Sequence, residues 1–307
     1  MIRKQQYKRI FYACWMLVAA LISCQKEIKF TSGYAPIKQV INSNFSPESN
    51  LYVNISKSKN PTDYTSIEFL NNCKVDLYEN GIFIETMPYV LNDTLSGLGW
   101  YISNYQLKQG KTYKVVSTHP ELGIATAEEY LPKRPHFTVN VLQHADSVNT
   151  SKDGIFTITF SDSSMFKDYY YVSAYYRVLK LVVNPTTGDT TYKTDFPYNP
   201  AVTSPDAPNP INYYRNLFTD ENFDGQTKTM RFTFKSMYNV NYKKIELVID
   251  FTALGFNAYD WTQQQLRPAY NNLNEGPEEP VNFTSNIVNG YGHFSAYSSS
   301  YVVKRIR

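Results

Sequence analysis

Lys74-Val75-Asp76-Leu77-Tyr78-Glu79-Asn80-Gly81-Ile82-Phe83-Ile84 sets two short runs of strand-forming residues on either side of an Asn-Gly pair. Asn and Gly accept the positive φ angles of a two-residue hairpin turn, so the stretch reads as two antiparallel strands and a tight reversal. The same short-strand texture continues on both sides. Toward the N-terminus, Leu51 to Ser56 and Ile37 to Asn42 read as strands, and toward the C-terminus Gly99 to Ile102 and Gly110 to Val116 do. In the last of these Tyr113 and Val115 face one way and Lys114 and Val116 the other. Gly123 to Tyr130 follows and runs into Leu131-Pro132-Lys133-Arg134-Pro135, where two prolines interrupt any ladder. About seven short strands in roughly 100 residues suit a sandwich of immunoglobulin or transthyretin-like type. This predicts a β-sandwich domain over residues 37–133.

Residues 134–307 read as a second β-rich domain. It opens with Phe137 to Leu142, a turn at Lys152-Asp153-Gly154, and the alternating run Ile155 to Phe160. The long run from Asp168 to Val183 puts Tyr170, Val172, Ala174, Tyr176 and Val178 on one face. Its other face carries Tyr169, Tyr171, Ser173, Tyr175 and Arg177. Thr186-Thr187-Gly188-Asp189 reads as a hairpin turn, and Phe196 to Pro210, with five prolines, as a long surface loop. Strands resume at Met230 to Phe234 and Lys244 to Phe251. One helix is predicted near 258–274, with Tyr259, Leu266, Tyr270 and Leu273 on a shared face. Pro268 should kink or split it, and Gly276-Pro277 ends it. A last strand lies within His293 to Ile306. The fold class is therefore mainly β, a sandwich followed by a second β domain with one helix. Twenty-seven Tyr and eighteen Phe against 19% charged residues is the usage of strands.

The start of the chain reads differently. Arg3, Lys4, Lys8 and Arg9 precede the apolar run Ile10 to Ala20, which is too short for a comfortable membrane span but fits a secretory signal. Leu21-Ile22-Ser23-Cys24 resembles the lipobox of bacterial lipoproteins, in which the cysteine thiol receives a diacylglycerol and the peptidase cuts just before it. Residues 1–23 are thus expected to be a discarded signal peptide, Cys24 the lipid attachment, and 24–36 a polar tether. The alternative is an ordinary secretory signal with a chance cysteine. Losing four basic residues turns the formal charge of +3 into about −1, which removes a basic affinity for nucleic acid. Of three cysteines only Cys73 is then left as a free thiol, so neither an internal disulfide nor a zinc site is expected.

Catalytic motifs are missing from the sequence. There is no Gly-x-Ser-x-Gly elbow, phosphate loop or His-Glu-x-x-His, and His119, His136, His144 and His293 are not paired at metal-ligand spacing. Asp220-Glu221-Asn222-Phe223-Asp224-Gly225 matches the first half of a calcium loop, with oxygens on Asp220, Asn222 and Asp224, but the bidentate glutamate such a loop needs is replaced by Arg231. The competing reading is a turn in which Asp224-Gly225 reverses the chain. No other cofactor is expected beyond the lipid on Cys24. Tyr169, Tyr171 and Tyr175 could stack on sugar rings or dock a protein, or simply pack against a neighbouring element.

Four features together resemble a known group: the lipobox followed by Gln25-Lys26-Glu27-Ile28, the stretch Cys73 to Gly81, the segment Asp220 to Gln226, and the glycine-containing run Ser285-Asn286-Ile287-Val288-Asn289-Gly290-Tyr291-Gly292-His293-Phe294-Ser295-Ala296-Tyr297. Over essentially the whole mature chain they resemble the surface lipoproteins of Bacteroidota catalogued as domain of unknown function 4249. Pro268, Tyr291 and His293 depart from the usual pattern. The resemblance implies an N-terminal domain similar to carboxypeptidase regulatory-like sandwiches. It also implies an outer-membrane, surface-exposed lipoprotein whose partner is a TonB-dependent receptor, with no assigned activity. The expected function is a non-enzymatic accessory binding or assembly subunit in nutrient uptake. The alternative is a surface module that binds glycan or peptide itself.

Overall fold

The computed structural model describes residues 36–60, 63–94, 97–143, 153–164, 167–183, 185–198, 202–204, 206, 216–235, 244–271 and 284–305. Cys24, the signal and the tether as far as Ala35 lie outside the described residues, as does most of the proline-rich stretch beyond Tyr198. In chain order the strands are β1 (Gln39–Phe45), β2 (Tyr52–Lys57), β3 (Lys74–Glu79), β4 (Ile82–Thr86), β5 (Tyr89–Leu91), β6 (Gly99–Ile102), β7 (Lys111–His119), β8 (Gly123–Leu131) and β9 (Phe137–Gln143). They continue as β10 (Gly154–Ser161), β11 (Tyr169–Val183), β12 (Thr190–Tyr198), β13 (Val202–Thr203), β14 (Asn216–Thr219), β15 (Thr227–Phe234), β16 (Lys244–Leu254), β17 (Ile287–Val288) and β18 (Tyr291–Arg305). The helix α1 (Phe256–Asn271) follows β16.

Asn80 and Gly81 take φ values of 48° and 81°, and β3 and β4 pair antiparallel around them, as the Asn-Gly signal predicts. This hairpin is the edge of a five-stranded sheet ordered β17-β8-β7-β3-β4. A four-stranded sheet runs β13-β15-β10-β9. Both face a nine-stranded sheet ordered β12-β11-β16-β18-β1-β2-β6-β5, with β14 attached to β11.

The organising element is β18. From Val40↔Tyr291 to Phe45↔Ala296 it pairs in parallel with β1, and from Leu254↔Tyr297 to Glu246↔Arg305 it pairs antiparallel with β16. Side chains alternate across a strand, so the even positions of β18 form one continuous inner face. Phe294 and Ala296 join Ile41, Phe45, Leu77, Tyr113 and Val115 in a first hydrophobic core under the five-stranded sheet. Phe251 and Ala253 on the neighbouring β16 join Phe156, Phe160, Tyr170, Val172, Met230 and Phe232 in a second, under the four-stranded sheet. Leu131 closes the first core and Phe137 packs against the second, while residues Ile37–Arg307 form a single compact unit. Rings fill much of the second core: Phe160 lies 4.7 Å from Phe251 and 5.3 Å from Tyr170 between centroids.

Three readings need correction. The segment from Phe196 to Tyr198, where the sequence predicts loop, belongs to β12; its proline sits opposite Arg177 beside a register shift, on the outermost strand of the sheet, where a missing N–H is tolerated. The helix starts at Phe256, two residues before the predicted boundary; its predicted end at 274 lies outside the described residues. It is also continuous through Pro268. Pro268 forfeits only the bond to the Gln264 carbonyl, and the described helix runs on to Asn271.

Candidate functional site: a groove on the outer face of the long sheet

The face of the nine-stranded sheet turned away from both cores is the one the odd positions of β11 and β18 share. Registers align Tyr169, Leu254 and Tyr297 in one row across β11, β16 and β18. The next row is Tyr171, Thr252 and Ser299, and the third Ser173, Asp250 and Tyr301. On the other side of β18, Ser295 stands beside Asn44 of β1. Two connected hollows lie along these rows, of about 420 and 670 Å³, and share Thr252, Tyr297 and Ser299.

One end of the groove is roofed by α1, whose Trp261 ring stacks on the His293 imidazole at 4.6 Å. Burial there holds the imidazole down, to about 4, so it is neutral at physiological pH. The floor is a series of hydroxyls, with Thr252 and Ser299 2.8 Å apart and the Ser295 hydroxyl 3.1 Å from the Asn44 side-chain oxygen. At the other end Asp250, its carboxyl pushed up by burial, faces Tyr301, and the Arg134–Glu48 ion pair closes the hollow. The Arg134 Nε is buried without a hydrogen-bond partner among the described residues. His293 and Tyr301 are eight residues apart on one strand, roughly 26 Å. The imidazole and the Asp250 carboxyl are therefore too far apart to share a reacting atom. The groove instead offers aromatic walls over a hydroxyl floor, which suits stacking and multiple weak hydrogen bonds.

The predicted tyrosine face is thus the face the groove occupies, but its three members differ. Tyr171 lines the hollow. Tyr169 is packed by α1, 4.6 Å from the Tyr259 ring and 5.7 Å from Phe256. Tyr175 lies four positions beyond Tyr171 along β11, opposite Val248 and half-buried, its phenol raised by burial and then by the Asp250 charge. The serine, tyrosine and histidine positions of β18 escaped sequence reading. The alternation in His293-Phe294-Ser295-Ala296-Tyr297 was the signal that could have placed them.

The calcium-loop pattern does not converge as its spacing suggests. Asn222 and Asp224 stand exposed on a turn fixed by Phe223 N–H to Asp220 O and Gln226 N–H to Phe223 O, with Gly225 at φ 67°. Asp220 turns inward and meets Asp162 and Asp168, one oxygen of each lying within 4.8 Å of the others. These carboxylates already serve the protein. Asp162 accepts from the Tyr170 hydroxyl at 2.6 Å and the Gly225 N–H at 2.9 Å, and Asp220 accepts the Asp168 N–H at 2.8 Å. Burial, then the charges of Asp162 and Asp220, push the Asp168 carboxyl up to about 6. Asp168 also borders a further hollow of about 600 Å³, lined by Tyr130, Lys133, His136 and Ser161. His119 accepts the N–H groups of Glu121 and Leu122 in the β7–β8 turn, a structural role. Among the described residues no helix is long and apolar enough to cross a membrane.

Among the described residues, fold and groove define a mainly β protein of three sheets with one capping helix. Within that class the chain belongs to the family described as domain of unknown function DUF4249, whose profile matches residues 25–301. No curated protein matches it. A solved structure titled as manganese lipoxygenase of Gaeumannomyces graminis and a partial zonadhesin of Komagataella pastoris aligns over 72% of this chain and 89% of its own, at 10% identity and a TM-score of 0.17. That score carries no argument about fold or function.

Proposed function

We propose that the mature chain is a non-enzymatic, lipid-anchored outer-membrane protein, an accessory binding subunit of a TonB-dependent nutrient-uptake system. The outer-face groove is its ligand platform. The observation that carries the binding role is the groove itself, in which Tyr171, Tyr297 and Trp261 supply ring faces and Thr252, Ser295 and Ser299 supply hydroxyls. Its imidazole and carboxyl stand at opposite ends, which favours holding a ligand over transforming one. The anchor at Cys24 and the receptor partnership rest on the lipobox and on the family resemblance.

An oligosaccharide or an extended peptide fits such a surface. Calorimetry and glycan or peptide arrays with the full mature protein test it against Tyr171→Ala and Tyr297→Ala. Each lost ring should weaken binding by roughly tenfold, about 1.4 kcal/mol of stacking. Blank arrays from a folded protein would remove the binding role. Affinity purification of the tagged protein from intact outer membrane should bring a large receptor with it, and recovery of a single protein would remove the uptake assignment.

A further inference from the structure

Five of the fifteen exposed large hydrophobic side chains among the described residues lie at one end of the body, and it is the end where the chain enters from the tether. Gln39, at the start of β1, pairs with Lys57 at the end of β2, and the next residue, Val40, pairs with Tyr291 at the start of β18. The Gln39 side chain bonds to the Gly123 carbonyl and accepts from the Ser117 hydroxyl, which brings the β7–β8 turn to the same end. Val288, just before β18, stands opposite Thr126 of β8, on the same outward face as Ile124. The loop that leaves β2 returns here too, through the Lys57 N–H to the Glu68 carbonyl.

At this end Ile37, Tyr64, Ile67, Ile124 and Val288 are exposed, from 48% for Ile37 to 94% for Tyr64. They come from four separate segments that sequence distance does not connect. Such residues ordinarily spread singly over a soluble surface, and a grouped set marks a contact. The charges around them largely cancel: Lys57 pairs with Glu68, Lys59 with Asp63, and Lys74 with Asp76.

We infer that this end is a membrane-contact surface, on which Ile37, Tyr64, Ile67, Ile124 and Val288 dip into the lipid headgroup and upper acyl region. The occupant follows from where the chain goes. Twelve residues separate Cys24 from Ile37, a reach of at most about 40 Å, so an acylated Cys24 keeps this end at high local lipid concentration. An acyl anchor and a small apolar patch are two signals that reinforce each other. Because paired charges contribute little attraction, the contact should be insensitive to salt. The inference rests on the anchor reading of Cys24, and the experiment separates the two.

The full protein, in a Cys73→Ser background, is labelled with an environment-sensitive fluorophore at Ile124→Cys, Val288→Cys or, as a control, Leu181→Cys. Leu181 is exposed near the far end of β11, which lies antiparallel to β16 and so runs away from the tether. The protein is reconstituted in vesicles containing nitroxide-headgroup lipid, and mass spectrometry reports acylation of Cys24. Blue-shifted emission, most of it quenched at 124 and 288 but not at 181, is the expected result at low and high salt. Acylated protein with no quenching at 124 and 288, or with equal quenching at all three positions, overturns the contact surface. Unacylated protein that still shows the pattern with added vesicles upholds the surface and removes the anchor. Unacylated protein without it overturns both.

Discussion

The Glu129 carboxylate accepts the backbone N–H of Asn257 at 2.9 Å across 128 residues of chain, so a side chain of β8 caps the helix α1. The residue before the helix is Gly255, which has no side chain to cap with, and a Cβ there would sit 2.6 Å from the Glu129 Cδ. The capping oxygen that Ser, Thr or Asp normally supplies locally comes instead from another sheet. This fastens the roof of the groove to the first sandwich.

Burial pushes the Glu129 carboxyl up to about 7, against the pull of the N–H groups of Tyr130, Asn257 and Ala258. In the unfolded chain it ionises near 4.5, so from there to about 7 the folded protein holds the extra proton and stability falls as pH rises. Glu129→Gln keeps an acceptor and removes this slope. Urea unfolding at acid, neutral and mildly alkaline pH should show the variant gaining on the parent by up to about 3 kcal/mol. Glu129→Ala removes the slope too but leaves the helix N–H unpaired, so it should lie about 2 kcal/mol below Glu129→Gln throughout.

His293 should titrate in the opposite sense. Its imidazole is depressed to about 4 from an ordinary 6.5, so its contribution is present above 6.5 and is lost as pH falls toward 4. Trp261→Ala uncovers the ring, and an NMR titration of His293 should move up toward 6.5. An unchanged midpoint would mean that the stack does not cause the shift.

Asp168→Asn should raise the unfolding midpoint at pH 8 and leave it nearly unchanged at pH 4. With its carboxyl held up at about 6, Asp168 favours the fold below 3.8, and that contribution is lost as pH rises through 6. Calcium should not shift the parent protein's midpoint, because the Asp162 and Asp220 oxygens are engaged by Tyr170, Gly225 and Asp168. A calcium-dependent rise that disappears in the variant would restore the cation reading.

Gly292 and Gly81 both have positive φ, at 110° and 81°, yet their replacements should differ sharply. A Cβ on Gly292 would lie 2.2 Å from the Ile41 carbonyl oxygen, whereas nothing lies within 4 Å of one on Gly81. Gly81→Ala should cost about 1 kcal/mol of backbone strain. Gly292→Ala must displace β1 itself and should prevent folding or cost more than about 4 kcal/mol, as soluble yield and urea midpoints will report.

What could be read from the sequence was local. The Asn80-Gly81 turn, the alternation of Tyr169 to Tyr176 and the proline break after Leu131 each lie within a few residues and obey a simple period. The parallel match of Val40 to Tyr291 joins positions some 250 residues apart and has no local signature. The same holds for Glu129 on Asn257 and for Asp162 beside Asp220. The calcium pattern shows the same limit: spacing placed Asp220, Asn222 and Asp224 in one loop, but it could not show that Asp220 is buried beside Asp162 and Asp168, which the loop motif does not contain.

Completion of the long sheet waits for β18, the last strand among the described residues. Without it β1 has no partner on one side and β16 none on the other, and the first core lacks Phe294 and Ala296, so that core cannot close until β18 is made. Such distant pairing slows folding, because a large loop must be closed before any of its contacts form. On the export reading proposed above, this delay keeps the chain threadable at its translocon, and a product truncated before Tyr291 should be cleared as an unfolded chain.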